Sequence, residues 1–302
     1  MTPKKQSVKP VSIVVPVYNE RQVIDMFLSQ LEKSLKGKDY EIVVVNDGSN
    51  DDSEKVLRKH RGIRLITHPT NRGYGEAIKT GVKNSTNENI AIIDCDGTYC
   101  SEDLVKLIEK FKDQAMLIGA RSRDGFDEPI MKKLMRKFLF WLAGYLISEK
   151  ISDLNSGLRI FRKKDFLRFY RLLPSGFSLT STLTMAFLIN GYPLEFIPIN
   201  YHPRTGKSKI NPFRDLFNFL LLILTTVIYF NPLRVFIPLS LFFFGLSLIV
   251  GLGSIIFLPR FLDTTTVILF VTGFQVFSVG ILADMISKSS IQIGWENENS
   301  FN

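Results

Sequence analysis

The pattern of apolar and polar positions changes character near residue 209. Before it, short β-branched runs alternate with stretches whose apolar residues recur every three or four positions; after it, apolar residues continue almost without interruption. In the first part VSIVVPVY (11–18), EIVVVN (41–46), IRLITH (63–68), NIAIID (89–94) and AMLIGA (115–120) read as buried strands, because a nearly continuous apolar run leaves no face for water. Between them Val23 to Leu35, Asp51 to His60, Gly75 to Asn84 and Glu102 to Phe111 read as helices, with Asp51 and Ser101 suited to N-capping. Alternation of this kind predicts an α/β domain over residues 11–209, a mostly parallel sheet with helices on both faces, behind a polar tail at 1–10.

The second part has lengths that suit a bilayer. Val235 to Leu258 is 24 residues without a charge and Thr264 to Ala283 another 20, against the roughly 20 residues that cross a hydrocarbon core of about 30 Å. They predict a transmembrane hairpin within 234–288, with spans at about 235–258 and 264–284, and a tail at 289–302. An earlier uncharged run, Leu216 to Leu233, is bounded by Pro212 and Pro232 and interrupted by Asn218 and Asn231. It reads as an amphipathic juxtamembrane helix over 210–233, with a third span as the alternative. The N-terminal MTPKKQSVKP lacks an apolar core and predicts no signal peptide.

Charge follows the same division. The chain carries 38 Lys and Arg against 29 Asp and Glu. Its first 209 residues hold 34 and 24 of these, a net of +10, so the basic excess and the apolar excess belong to different parts. That excludes a uniformly soluble enzyme, a disordered chain and a disulfide-stapled domain. It also favours the basic part on the cytoplasmic side of a membrane. Cys95 and Cys100 read as free thiols, and His60, His68 and His202 do not complete a zinc set. No nucleic-acid-reading motif accompanies the positive charge.

Ligands of parallel sheets sit at the carboxyl ends of strands. Five polar segments fall there: PVYNE (16–20), NDGSNDD (46–52), NRGYGE (71–76), DCDGTY (94–99) and ARSR (120–123). Glu20, Asp47, Asp94 and Asp96 with Arg72 and Arg121 make a cleft able to hold a metal and a phosphorylated ligand. On an extended strand end Asp94 and Asp96 point to one side and Cys95 to the other, an arrangement that suits Mg²⁺ or Mn²⁺ bridging a diphosphate. The Gly73 and Gly75 pair does not continue as a dinucleotide fingerprint, since Ile78 stands where a third glycine belongs. Helix-opening glycines that let backbone approach a ligand are the better reading.

PVYNE, VNDGSNDDS, NRGYGEAIKTG and DCDGTY, in this order, resemble the nucleotide-sugar-binding half of family 2 glycosyltransferases with the GT-A fold. DLNSGLRIF (153–161) and YHPRTGKSKI (201–210) narrow the resemblance to the dolichyl-phosphate mannose synthase-like branch, polyprenyl-phosphate glycosyltransferases of which several carry a C-terminal helical hairpin. The resemblance covers residues 11 to 290. It implies that Pro16, Tyr18, Glu20 and Asp47, with Arg72 and Gly73, hold the nucleotide, that Asp94 and Asp96 hold the divalent metal, and that Arg121 lies near the diphosphate. It places Asp153 in the acceptor-facing segment, and Ser156, Arg159, Arg204, Ser208 and Lys209 where phosphates are held; the basic stretch Arg204, Lys207 and Lys209 reads as binding the lipid phosphate, with a juxtamembrane anchor for anionic lipid as the alternative. One departure is that Gly97, Thr98 and Tyr99 follow the D-x-D triplet where many members have Leu-Gln.

The activity so implied is inverting transfer of a hexose from a UDP- or GDP-linked sugar to a dolichyl or undecaprenyl phosphate, with membrane lipid as surroundings and a homo-oligomer left open. Asp96, Arg121 and Asp153 are the catalytic candidates. Asp153 reads either as an acceptor-site residue, basic in role, or as a turn-forming residue. GFSLTSTLTMAF, from Gly176 to Phe187, contains no carboxylate, which agrees with a phosphate acceptor that needs no general base. A membrane polysaccharide synthase and a non-catalytic nucleotide-sugar-binding membrane protein are the competing readings. The first lacks its usual Q-x-x-R-W motif here, and the intact DCD triplet speaks against the second.

Overall fold

The computed structural model describes residues 10–121, 144, 152–200, 212–257 and 263–299. These fall into two compact units, one built on a sheet and one on the C-terminal helices. Arg204, Lys207, Ser208 and Lys209 lie outside the described residues.

The first unit is a seven-stranded sheet in the order β3-β2-β1-β4-β6-β5-β7. Its strands are β1 (Val11–Val17), β2 (Tyr40–Asn46), β3 (Ile63–Thr67), β4 (Asn89–Ile92), β5 (Met116–Arg121), β6 (Arg159–Arg162) and β7 (Leu194–Ile199). β1 pairs in parallel with β2 on one side, Val11 opposite Tyr40 through Val17 opposite Asn46, and with β4 on the other. The sheet is mostly parallel but mixed, because β6 enters between β4 and β5 and runs antiparallel to both. The helices of this unit are α1 (Arg21–Leu35), α2 (Ser53–Leu57), α3 (Tyr74–Asn84), α4 (Ser101–Lys110), α5 (Lys163–Arg168) and α6 (Leu179–Ile189).

Helices cover both faces, as the alternation predicts. Ile24, Phe27, Leu28, Leu31 and Leu35 form one stripe of α1 and pack with Leu104 and Leu107 of α4 on Ile13, Val15, Ile42 and Val44. On the opposite face Ala77 of α3 meets Val43 and Val45. Burying each large aliphatic side chain stabilises the fold by about 2 kcal/mol, and the fully enclosed strands β1, β2 and β4 carry most of that. β3 departs from the expected buried strand: it is the sheet edge, and Arg64 and Thr67 are exposed. The capping expectations also shift. Ser101 is the first helical residue of α4 rather than its cap, and α2 begins at Ser53, whose N–H donates to Asp51 Oδ1 at 2.9 Å.

The second unit contains α7 (Pro212–Phe230), α8 (Leu233–Phe257) and α9 (Asp263–Asn299). Leu233–Ile256 and Thr264–Ser289 have mean hydropathies of 2.4 and 2.1, yet only 17% and 11% of their apolar windows are buried. The core helix of a soluble domain hides such a surface; these helices present it outward, as lipid requires. Between them Ser247 Oγ donates to Thr266 O at 2.8 Å and Phe244 meets Phe270 at 5.3 Å between ring centroids. Small polar groups that find carbonyls in this way let two membrane helices approach. Among the residues whose side chains are described, α7 is apolar from Leu220 to Phe230. α9 continues as helix to Asn299, past the end expected at 284.

Candidate active site

The carboxyl ends of β1, β2 and β4 open together, and the loops that follow them are tied to one another by short side chains. The Asn19 N–H donates to Ser49 Oγ at 3.0 Å and the Asn50 N–H returns to Asn19 Oδ1 at 2.9 Å. Asn19 takes a left-handed φ of 57° to do so, a conformation that asparagine tolerates better than most residues. The Glu20 N–H donates to Ser53 Oγ at 3.1 Å and the Arg21 N–H to Asp51 Oδ2 at 3.2 Å. Burial raises the Asp51 pKa, but bonds from Ser53 and the Arg21 N–H outweigh it and hold the carboxyl below its ordinary range. Asn19, Glu20, Arg21, Gln22, Val23, Asp51 and Asp96 line one depression at this edge.

Asp47 organises the next loop. Its Oδ1 accepts the Arg72 N–H at 2.9 Å, its Oδ2 accepts the Gly73 N–H at 2.8 Å, and His68 Nδ1 lies 2.7 Å from Oδ1. Thr80 Oγ1 lies 3.0 Å from His68 Nε2. Asp47 is 2% exposed, so the residue expected at the nucleotide is the buried hub that shapes the 71–73 loop. Pro16, another expected nucleotide residue, is buried in β1 opposite Val45, whereas Tyr18, Arg72 and Gly73 stand at the surface of the same edge.

The D-x-D triplet follows β4. Asp96 Oδ1 accepts the Thr98 N–H at 3.1 Å and its hydroxyl at 2.6 Å. Asp94 Oδ1 accepts the Tyr74 hydroxyl at 2.8 Å, and the carboxylate abuts Gly157, where any side chain would collide with it. The Gly157 N–H in turn donates to Tyr99 Oη at 2.8 Å. Burial pushes the Asp94 pKa up to about 6; the Tyr74 hydroxyl opposes this and the charge of Asp96 adds to it. Among the described residues no cluster of three metal-ligating side chains forms. Two carboxylates are nonetheless enough for Mg²⁺ or Mn²⁺, which keep several waters and complete their coordination with substrate phosphates. The mutual repulsion of Asp94 and Asp96 is what a divalent ion would relieve, so the residues fit the ion.

On the far side of the triplet the acceptor-facing segment is knit to β5. Arg121 forms a two-pronged pair with Asp153, Nε to Oδ2 at 2.7 Å and Nη2 to Oδ1 at 2.8 Å. The Asn155 N–H adds a bond to Oδ1 at 3.0 Å, closing a turn. Burial raises the Asp153 pKa, but Arg121 more than reverses it, and the carboxyl is held below its ordinary value. Of the two roles expected of Asp153, the geometry displays the turn-forming one, with the carboxyl anchoring Arg121. Ser156 and Arg159, expected where phosphates are held, are wholly buried. Arg159 donates to Ser156 O, to Thr180 O at 2.9 Å and to Thr184 Oγ1 at 3.0 Å, so it staples the turn to α6.

Sequence reasoning passed over His68, Tyr74, Tyr99 and Gly157. For Tyr74, Tyr99 and Gly157 a signal existed in the motifs NRGYGE, DCDGTY and DLNSG; for His68 only the fold shows that it closes hydrogen bonds beneath the site.

Residues 12–169 match the family model described as Glycosyl transferase family 2, and residues 231–289 the model described as GtrB C-terminal hairpin. The chain is 28% identical over 204 residues to a dolichyl-phosphate hexose transferase of Haloferax volcanii, covering 67% of this chain and 87% of that protein. It is 30% identical to the human dolichyl-phosphate beta-glucosyltransferase, covering 68% and 71% respectively. Among solved structures, glucosyl-3-phosphoglycerate synthase from Mycobacterium tuberculosis with Mn²⁺, uridine diphosphate and phosphoglyceric acid aligns with a TM-score of 0.58 over 72% of this chain and 78% of that one, at 16% identity. At that identity the likeness establishes a shared GT-A-like fold.

Proposed function

Since this chain belongs to glycosyl transferase family 2, we propose that it transfers a hexose, with inversion, from a nucleotide-diphosphate sugar to a polyprenyl phosphate at the cytoplasmic face of a membrane. The observation that carries the proposal is that Asp96 lines the same depression as Glu20 and Asp51. The end of β4 and the loops after β1 and β2 thus form one donor site, in a chain that also carries two apolar helices of membrane-spanning length. The relatives named for dolichyl phosphate and the matched hairpin support a lipid-phosphate acceptor.

In this scheme a phosphate oxygen of the acceptor attacks the anomeric carbon, the bond from that carbon to the nucleoside diphosphate breaks, and its electron pair leaves on the diphosphate oxygen. Asp94 and Asp96 would hold Mg²⁺ or Mn²⁺, which supplies neutralisation of the charge that builds on the leaving diphosphate. Asp153 holds the Arg121 guanidinium at the end of β5, beside the acceptor turn. A phosphate monoester with a second pKa of about 6 is already ionised near neutral pH and needs no base. The low pKa of Asp153 and the absence of any acid between Gly176 and Phe187 agree with that economy. The net charge of +10 before residue 210 suits two anionic substrates and a cytoplasmic orientation.

The test is a panel of radiolabelled nucleotide sugars, UDP-glucose and GDP-mannose among them, offered to the purified full chain in detergent with Mn²⁺ and undecaprenyl or dolichyl phosphate. A single lipid-phosphate sugar formed from one donor is expected. A polymeric product, or no transfer from any donor, would overturn the proposal.

A further inference from the structure

Tyr74 sits between two parts of the site that are far apart in the sequence, Asp94 and Phe177. Its hydroxyl donates to Asp94 Oδ1 at 2.8 Å, and its ring stacks on Phe177 with centroids 5.3 Å apart and planes 19° from parallel.

The loop that carries Phe177 is fastened to the loop that carries Tyr74. The Glu76 N–H donates to Ser175 O at 3.2 Å and Ser175 Oγ to Glu76 Oε2 at 3.1 Å. Gly73, at a φ of 99°, and Gly75 lie so close to the carbonyls of Pro174 and Ser175 that a β-carbon at either would collide. The backbone is therefore set, yet Phe177 itself is 81% exposed. An aromatic ring held in place and left in water forgoes about 2 kcal/mol of burial. The segment after it opens α6, where Ser181 bonds to Asn155 of the acceptor turn. Phe177 thus stands on the acceptor side of the site, with one face against Tyr74 and most of the ring open.

We propose, resting on the function argued above, that Tyr74 is a positioning residue that couples the acceptor loop to the metal ligand Asp94, and that a polyprenyl phosphate covering Phe177 is what engages it. Covering the ring fixes the stack, the stack fixes the phenol, and the phenol orients the Asp94 carboxylate. By reciprocity, a divalent ion held at Asp94 favours the same loop arrangement for the lipid.

The test uses the full chain in detergent micelles, Mn²⁺ with UDP or GDP, and undecaprenyl phosphate. Free Mn²⁺ is read by electron paramagnetic resonance, and kcat and KM are measured alongside. Tyr74→Phe keeps the ring and removes the donor; it should weaken Mn²⁺ binding about 10- to 100-fold, the loss usual for an outer partner of a metal ligand. It should lower kcat and, because the coupling is reciprocal, raise the acceptor KM by about the factor by which lipid tightens Mn²⁺ binding in the unmodified chain. Undecaprenyl phosphate should tighten Mn²⁺ binding to the unmodified chain by about fivefold or more. That tightening should vanish in Phe177→Ala and in Tyr74→Phe and persist in Phe177→Tyr. Wild-type Mn²⁺ affinity in Tyr74→Phe, no tightening by lipid on the unmodified chain, or undiminished tightening in Phe177→Ala would each overturn the coupling. A chain that transfers no sugar but shows these Mn²⁺ differences would refute the transfer reaction alone.

Discussion

The loops after β1 and β2 and the turn after β4 both gather carboxylates at one sheet edge, but they treat them in opposite ways. Asp47 and Asp51 accept backbone N–H groups from Gly73, Arg72, Arg21 and Ser53. Asp94 accepts a tyrosine hydroxyl, and burial, with the charge of Asp96 adding to it, pushes its pKa up to about 6. A carboxylate surrounded by N–H donors shapes a loop, and its charge is compensated within the fold. A carboxylate set against another awaits a cation from outside. Asp153 belongs with the first kind, since Arg121 neutralises it, and this is why it makes a poor base despite its place in the acceptor segment.

The largest effect should come from the cation-holding pair. Asp96→Asn should reduce sugar transfer by about a thousandfold, because a bound ion supplies several kcal/mol to the transition state and each 1.36 kcal/mol is tenfold in rate. The protein should remain folded and membrane-bound by circular dichroism and flotation. Near-normal turnover would erase the distinction drawn here. The converse substitution tests the scaffolding kind. Asp47→Ala leaves two backbone N–H groups and the buried His68 without their acceptor, a loss of about 3–5 kcal/mol. Thermal unfolding of the full chain in detergent should fall by about 10 °C. An unchanged midpoint, with loss of nucleotide binding only, would make Asp47 a ligand residue after all.

The distinction explains what the sequence could and could not disclose. Strand positions were legible because β1, β2 and β4 are buried on both faces and spell continuous apolar runs. The converging strand ends followed from the parallel arrangement, and the two long uncharged runs announced their own helices. β6 is not legible in the sequence, since RIFR is only four residues with an arginine at each end, and it becomes a central strand with Arg159 bonded to carbonyls inside. The burial of Ser156 and Arg159 is equally illegible, because an arginine in a motif reads the same whether its partners are carbonyls inside or a ligand outside. Sequence places an Asp at a strand end; only the donors around it tell whether it is already satisfied.

Asp94 offers the smallest test and the one most particular to the comparison. Its ordinary pKa of 3.8 rises to about 6 in the fold, so the folded state prefers the neutral acid. A group whose folded pKa is raised contributes fully below its unfolded pKa, and that contribution is lost as pH rises through the folded value. The metal-free protein should therefore lose stability between about pH 4 and pH 6, by about 1–3 kcal/mol for a shift of this size at 1.36 kcal/mol per unit. Asp94→Asn keeps an acceptor for Tyr74 and removes the charge. It should match the parent at pH 4 and unfold a few degrees higher at pH 7.5 without metal. Saturating Mn²⁺ with nucleotide should reverse that order, because the ion stabilises only the chain that binds it. If Asp94→Asn were less stable than the parent at pH 7.5 without metal, the Asp94 carboxylate would be compensated within the fold as Asp51 is, and the two regions would not differ in the way described.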